Sequence, residues 1–71
     1  MSEDGVGVVV NGTARRVAVG TTLAALVEKF AGDSRGIAVA LDREVVPRSA
    51  WEDVVVEDGA SVEVVTAAAG G

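Results

Sequence analysis

The sequence contains no cysteine and no histidine. This excludes disulfide bonds, zinc sites with cysteine or histidine ligands, thiol nucleophiles and imidazole bases. Aromatic side chains are scarce, with one phenylalanine, one tryptophan and no tyrosine among 71 residues. No apolar run approaches the ~20 residues of a membrane span, and the acidic start, MSEDGVG, lacks the apolar core of a signal peptide. We therefore expect a cytoplasmic protein with no membrane partner.

The chain also has few basic residues. Acids outnumber bases by 11 to 6, and the net charge is −5. Because affinity for nucleic acid depends on neutralising phosphates, this balance argues against nucleic acid as a partner. It favours a partner protein with a basic surface. The length indicates one domain.

Two strand-like runs, 6–10 and 13–19, flank Asn11-Gly12. This dipeptide predicts a hairpin, because a type I′ turn needs a positive φ at both central residues. After these strands the apolar residues change from strand spacing to helical spacing and form one stripe. Either Thr21 or Thr22, just before the stripe, can cap the helix. Gly32 can end that helix. The stripe consists of Leu23, Leu26, Val27 and Phe30.

Three further strands are predicted at 37–41, 45–46 and 61–66, with irregular backbone at 47–53 after Pro47. The order is β-β-α-β-β-β, which indicates an α+β domain with one helix packed on one face of a sheet of four to five strands. By the period-two rule the helix-facing residues are Val17, Val19, Ile37, Val39, Leu41, Val62 and Val64.

The opposite face of this predicted sheet carries small apolar residues, where a face left to water usually carries polar ones. Arg16 and Glu63 share the face by the same alternation. Two interpretations are open: alanine is simply tolerated there, or the face is a docking patch for a partner. The candidate docking residues are Ala18, Ala38, Ala40 and Val65.

No side chain is a convincing catalyst or metal ligand. The adjacent pairs Glu52-Asp53 and Glu57-Asp58 are interpreted as solvated turn acids, since neighbours in sequence do not face each other in a strand. Arg15-Arg16 is expected to straddle the two faces of the second strand. Trp51 is expected to plug the open end of a small core. We expect no catalytic residue, no metal site and no cofactor bound by the chain.

The last residues, TAAAGG, become smaller toward the end. We divide the chain into a domain at 1–66 and a flexible tail at 67–71. Glycine lacks a Cβ and permits close backbone approach, so such a tail can enter a deep enzyme site and present its terminal carboxylate. A frayed terminus without function is the alternative, since chain ends are commonly disordered. The tail residues are Ala67, Ala68, Ala69, Gly70 and Gly71.

Four stretches occur in the order VVVNG, TTLAALV, IAVALDREVVPRSAW and EDGASVEVVTAAAGG. Together they resemble the ThiS family of sulfur carriers, which are small ubiquitin-like proteins of thiazole formation in thiamine biosynthesis. VVVNG resembles the family's first hairpin, and TTLAALV its helix start. IAVALDREVVPRSAW is similar to its most distinctive stretch, and EDGASVEVVTAAAGG to its closing strand and di-glycine terminus. The resemblance covers nearly the whole chain. It implies the β-grasp fold, with a mixed sheet.

The resemblance also implies a function. A ThiF-like adenylyltransferase uses ATP and magnesium to adenylate Gly71, and sulfur that a cysteine desulfurase takes from cysteine converts the adenylate to a thiocarboxylate. Thiazole synthase then accepts the sulfur. The chain is in this view a protein co-substrate and not an enzyme, with Ala67–Ala69 and Gly70 presented to the partner.

Two departures leave the choice of partner open. The tail is poor in branched residues, and Leu41-Asp42 stands where the family often has an asparagine. The alternatives are another ubiquitin-like sulfur carrier, such as the small subunit of molybdopterin synthase or a carrier for tRNA thiolation or cysteine synthesis, and a non-catalytic β-grasp interaction module.

Overall fold

A computed structural model describes residues 5–32 and 36–66, and it begins with the predicted hairpin. Strand β1 (Gly5–Val10) pairs antiparallel with β2 (Thr13–Ala18). At the turn, φ is 51° at Asn11 and 83° at Gly12. These are the two positive values that a type I′ turn needs, and the turn prediction is confirmed.

The predicted helix is α1 (Leu23–Ala31). The Thr22 hydroxyl caps it by accepting a hydrogen bond from the Ala25 N–H at 3.1 Å, which satisfies one of the unpaired donors of the first turn. Gly32 ends it with φ 77°, and its N–H bonds to the Glu28 carbonyl. The predicted stripe faces the sheet: Leu23, Leu26 and Val27 are fully buried and Phe30 is partly buried.

Three further strands complete one mixed five-stranded sheet. They are β3 (Ile37–Leu41), β4 (Glu44–Val45) and β5 (Ser61–Thr66). The order across the sheet is β2-β1-β5-β3-β4. The central pair, β1 and β5, is parallel, and every other pair is antiparallel. The α+β prediction, with one helix on a mixed sheet, is confirmed.

The core lies between α1 and the covered face of the sheet. Val17, Val39 and Val62 are buried there as predicted, and Ile37, Leu41 and Val64 pack partly buried against them. In the described residues, no helix has the length and apolar content that crossing a membrane requires. Among the described residues, the buried core consists of Val8, Val10, Val17, Leu23, Leu26, Val27, Val39, Trp51, Val56, Ala60 and Val62.

The prediction for Val19 is wrong, because this side chain is 64% exposed. Strand β2 ends one residue earlier, at Ala18. The N–H and the hydroxyl of Thr21 both donate to the Ala18 carbonyl, at 3.1 and 2.6 Å, and Gly20 takes a φ of 91°. The chain therefore turns away from the sheet before Val19 can reach the core.

The stretch predicted as irregular, 47–53, contains a 3-10 helix (Arg48–Asp53) that contacts α1. Pro47 precedes it with φ −63°, and the Pro47 carbonyl accepts the Ala50 N–H at 2.9 Å. The proline fixes the φ with which the chain enters the helix. The short fourth strand begins one residue before the predicted start, at Glu44.

Candidate functional site

The face of the sheet opposite α1 carries a row of small apolar residues on its β5-β3-β4 side. Ala38 pairs with Val65, and Ala40 pairs with Glu63 on one side and Val45 on the other. Residues paired across strands point to the same face. The register therefore brings together three of the four predicted docking residues. We call the set Ala38, Ala40, Val45 and Val65 the outer patch.

The outer patch is open to solvent. Val45 is 72% exposed and Val65 is 59% exposed, while Ala38 is exposed and Ala40 is half-buried between its neighbours. Alanine methyl groups leave the backbone of β3 close to the surface, so the patch has little relief. Val45 was missed by sequence reasoning because β4 has only two residues, too few to show a period of two.

Ala18 shares this face but lies at its far corner. It pairs with Gly5, which is four residues before Val9, and Val9 aligns with Ser61 on β5. Val65 is four residues beyond Ser61. The two positions are thus eight residues apart along the strand direction, about 26 Å at ~3.3 Å per residue. The structure therefore does not bring Ala18 into the outer patch.

Two charged residues share the outer face, as the alternation predicted. Glu63 lies inside the apolar row, opposite Ala40 and two residues before Val65. Arg16 pairs with Gly7 on the other side of the sheet. It is four residues along and two strands across from Glu63, about 16 Å away. At that distance the two side chains do not form an ion pair.

Arg15 points to the other face. Its guanidinium carbon lies 5.1 Å from the centre of the Phe30 ring, on the helix side of the sheet, so the two arginines straddle β2 as predicted. This distance is within the range of a cation–π contact. Arg15 therefore covers the edge of the core.

Strand β5 is held on both sides until Val64. Val9 N–H donates to the Ala60 carbonyl and Asn11 N–H to the Val62 carbonyl, each at 2.9 Å. The Asn11 side-chain oxygen then accepts the Val64 N–H at 2.8 Å, which continues the ladder beyond the end of β1. The last two residues of β5 pair with β3 alone.

The tail residues that carry the predicted modification, Ala67, Ala68, Ala69, Gly70 and Gly71, lie outside the described residues. The described chain leads to them directly, because Thr66 is the last residue of β5. Thr66 pairs with Ile37 at the first position of β3. Strand β5 therefore finishes at the end of the sheet where the outer patch lies.

Two of the turn carboxylates have structural roles. Asp58 accepts the Gly7 N–H at 2.7 Å, and Asp42 accepts the Ser61 N–H at 2.9 Å. These bonds fix the loops on either side of β5. Within residues 5–32 and 36–66, no three acidic side chains are grouped to hold a metal ion.

Trp51 belongs to the core, as the sequence predicted. It is 4% exposed, and its Nε1–H donates to the Val46 carbonyl at 2.9 Å. The guanidinium of Arg48 lies 6.0 Å from the centre of the indole ring. An open groove lies beside the pair, between α1 and the 3-10 helix, with Glu28, Arg48 and Glu52 among the residues that line it.

Comparison with known proteins adds three findings. The family model described as "ThiS family" matches residues 8–71. A crystal structure described as the thiamine biosynthesis protein ThiS from Geobacter metallireducens superimposes with a TM-score of 0.80 at 28% identity, covering 93% of this chain and all of that one. A thiazole synthase from Paramagnetospirillum magneticum is 38% identical over 63 residues, which is 89% of this chain but 19% of the relative's length.

Proposed function

The chain belongs to the ThiS family, and from this premise we propose that it is a sulfur carrier of thiamine biosynthesis. The atom that carries the sulfur is the carboxyl carbon of Gly71. The folded domain is a protein co-substrate: partner enzymes recognise it, and they perform the chemistry on its tail. The observation that carries the proposal is the family match, which extends through residues 67–71.

The chemistry requires an activated carboxyl group. A ThiF-like adenylyltransferase, using ATP and magnesium, joins the Gly71 carboxylate to AMP and releases pyrophosphate. A cysteine desulfurase carries the sulfur of cysteine as an enzyme persulfide, whose terminal sulfur displaces AMP and forms an acyl disulfide with Gly71. A thiol reductant then cleaves the S–S bond and leaves the thiocarboxylate, whereas free sulfide displaces AMP directly and needs no reductant. Because the sequence has no thiol, no side chain of the chain competes for the sulfur.

The tail sequence suits this reaction. Gly70 and Gly71 have no Cβ to shield the acyl carbon or to widen the chain. Ala67, Ala68 and Ala69 have the next smallest side chain. A chain segment with such small side chains can enter a deep and narrow enzyme site. Its unhindered carbonyl carbon is then open to the incoming nucleophile.

Capture of the tail alone is energetically demanding. Fixing the backbone of one residue costs about 1–2 kcal/mol, so five tail residues cost about 5–10 kcal/mol. Contacts made by small side chains do not offset this cost comfortably. The folded domain must therefore contribute binding energy. The outer patch is the surface that we assign to this docking, because it lies at the end of the sheet from which the tail continues.

Thiazole synthase is the acceptor that we propose for the sulfur. The relative from Paramagnetospirillum magneticum is described as a thiazole synthase, and the region similar to this chain occupies 19% of its length. In that relative, a region similar to this chain is therefore part of a much longer polypeptide that is described as a thiazole synthase. This arrangement supports the proposal that the carrier and a thiazole synthase act together.

Intact mass spectrometry tests the proposal. The protein is incubated with a ThiF-like adenylyltransferase of proven activity, magnesium, ATP and sulfide. We expect a mass gain equal to the replacement of one oxygen by sulfur, located on the terminal glycine by fragmentation. The control lacks Gly71 and should gain no mass. If the full chain also gains none, the proposal fails and an interaction module without tail chemistry is the better assignment.

A further inference from the structure

We infer that Glu63 selects the partner at the outer patch, and that the thiazole synthase surface meeting it carries a lysine or arginine opposite this carboxylate. The inference rests on the proposed function, because it assumes that the patch docks the synthase. It names Glu63 as a residue that decides this docking, and it requires a positive charge on the synthase surface that meets it. The observation behind it is the position of one acid inside an apolar row.

Along β5 and on the β3 side, the neighbours of Glu63 on its own face are small or apolar, whereas the polar Asn11 lies next to it on the β1 side. Ala40 lies directly opposite, and Val65 is the next residue of β5 on this face. Val45 lies one strand further, beyond Ala40. The strand cation on the same face, Arg16, is about 16 Å away by the register of the sheet. Within residues 5–32 and 36–66 the carboxylate of Glu63 forms no ion pair, so water solvates it there in the free protein.

A partner that covers the outer patch removes that water. A carboxylate buried without a counter-charge is strongly unfavourable, whereas a basic side chain placed opposite it restores the balance. An apolar surface with a cation at this one point offsets part of the desolvation cost that a surface without a partner for the carboxylate meets in full. The acid thus rejects purely apolar surfaces and acidic ones, which is specificity by exclusion.

The position of Glu63 also sets the direction of docking. It is three residues before the end of β5, while Arg16 lies toward the opposite side of the sheet. A cation opposite Glu63 therefore fixes which end of the sheet faces the partner's site. The end of β5 then lies at the same point of the partner in every complex.

The experiment measures the dissociation constant of the full chain for the thiazole synthase of the same organism by calorimetry. Glu63→Lys should weaken binding by about a hundredfold and Glu63→Gln by about tenfold, because close like charges and unpaired buried groups are both costly. The matched control is Glu57→Lys. It makes the same change in net charge at an exposed loop residue off the patch and should change binding by less than about threefold.

Thermal melts check that every variant is folded, and Glu63→Gln adds no new charge that could disturb the sheet. Equal weakening by Glu63→Lys and Glu57→Lys would overturn the inference, since only overall charge would then matter. Loss of binding to the adenylyltransferase alone would overturn it too. If the wild type forms no thiocarboxylate, the proposed function itself fails. If it forms one but does not bind the synthase, only the inference on Glu63 fails.

Discussion

Asn11 allows the attachment of β5 to be tested at a single atom. Its side-chain oxygen accepts the Val64 N–H at 2.8 Å, and its own backbone has φ 51°. Asn11→Gly keeps the backbone conformation, because glycine adopts positive φ without strain, but removes the acceptor. Asn11→Asp keeps both the acceptor and a residue type that tolerates this conformation. The two substitutions therefore separate the hydrogen bond from the turn.

The expected loss can be estimated from these contacts. A hydrogen bond of this kind contributes about 0.5–1.5 kcal/mol net, since water replaces the lost partner in the exposed loop. Asn11→Gly should thus lower the free energy of unfolding by about 1 kcal/mol, and the melting temperature by about 4–8 °C for a domain of this size. Asn11→Ala should lose about 1–2 kcal/mol more, from a Cβ in the left-handed region. Asn11→Asp should remain within about 0.5 kcal/mol of the wild type.

Urea unfolding measures the loss of global stability, and amide hydrogen exchange measures the local loss at the Val64 N–H. Exchange at the Val64 amide should accelerate about fivefold in Asn11→Gly, as expected for a local loss of about 1 kcal/mol. The Val62 amide, inside the strand, serves as the internal reference. The reasoning is refuted if Val64 exchange is unchanged in the glycine variant, or if the aspartate variant is destabilised as much as the glycine variant.

One deletion and three substitutions, the last with a conservative control, test the carrier, the patch, the core and the helix. Deleting Gly71 should leave the melting temperature unchanged and abolish thiocarboxylate formation; a lower melting temperature would mean that the tail stabilises the fold. Ala40→Asp should weaken binding to thiazole synthase by about tenfold or more and cost about 1 kcal/mol of stability or less, since it places a second acid opposite Glu63; unfolding would show that this side chain belongs to the core. Trp51→Phe should cost about 2 kcal/mol in urea unfolding, because it leaves the Val46 carbonyl without its donor and a gap in the core; a neutral result would contradict the role of the indole. Thr22→Ala should cost about 1 kcal/mol through the lost helix cap, whereas Thr22→Ser should be nearly neutral, and equal losses in both would argue against the cap.

Much of the local structure follows from the sequence alone. Asn11-Gly12 specifies its turn because few residues adopt a positive φ at two successive positions. The stripe from Leu23 to Phe30 specifies a helix and its buried face by spacing. Strands β3 and β5 have the predicted bounds. Each of these features depends on residues that are near neighbours in the chain, so a short stretch contains the information.

The candidate site was predicted only in part, because it depends on pairing between distant strands. Ala38, Ala40 and Val65 meet because β3 pairs with β5, while Ala18 is separated from them by the register of β1 with β2 and β5. Val45 gave no periodic signal in a strand of two residues. The alternation predicted the face of Ala18, Ala38, Ala40 and Val65 correctly, but it contains no information on position within that face.

The sequence by itself determined the classes of chemistry that are excluded, the strands and the α-helix, and, for strands long enough to show alternation, which side faces the helix. These follow from residue types and from the geometry of a single chain segment. The tertiary structure decided that β5 lies between β1 and β3, that the outer patch forms around Glu63, and that the Asn11 side chain holds Val64. Those contacts join residues as many as 53 positions apart, and only the packing of the whole sheet on α1 fixes them.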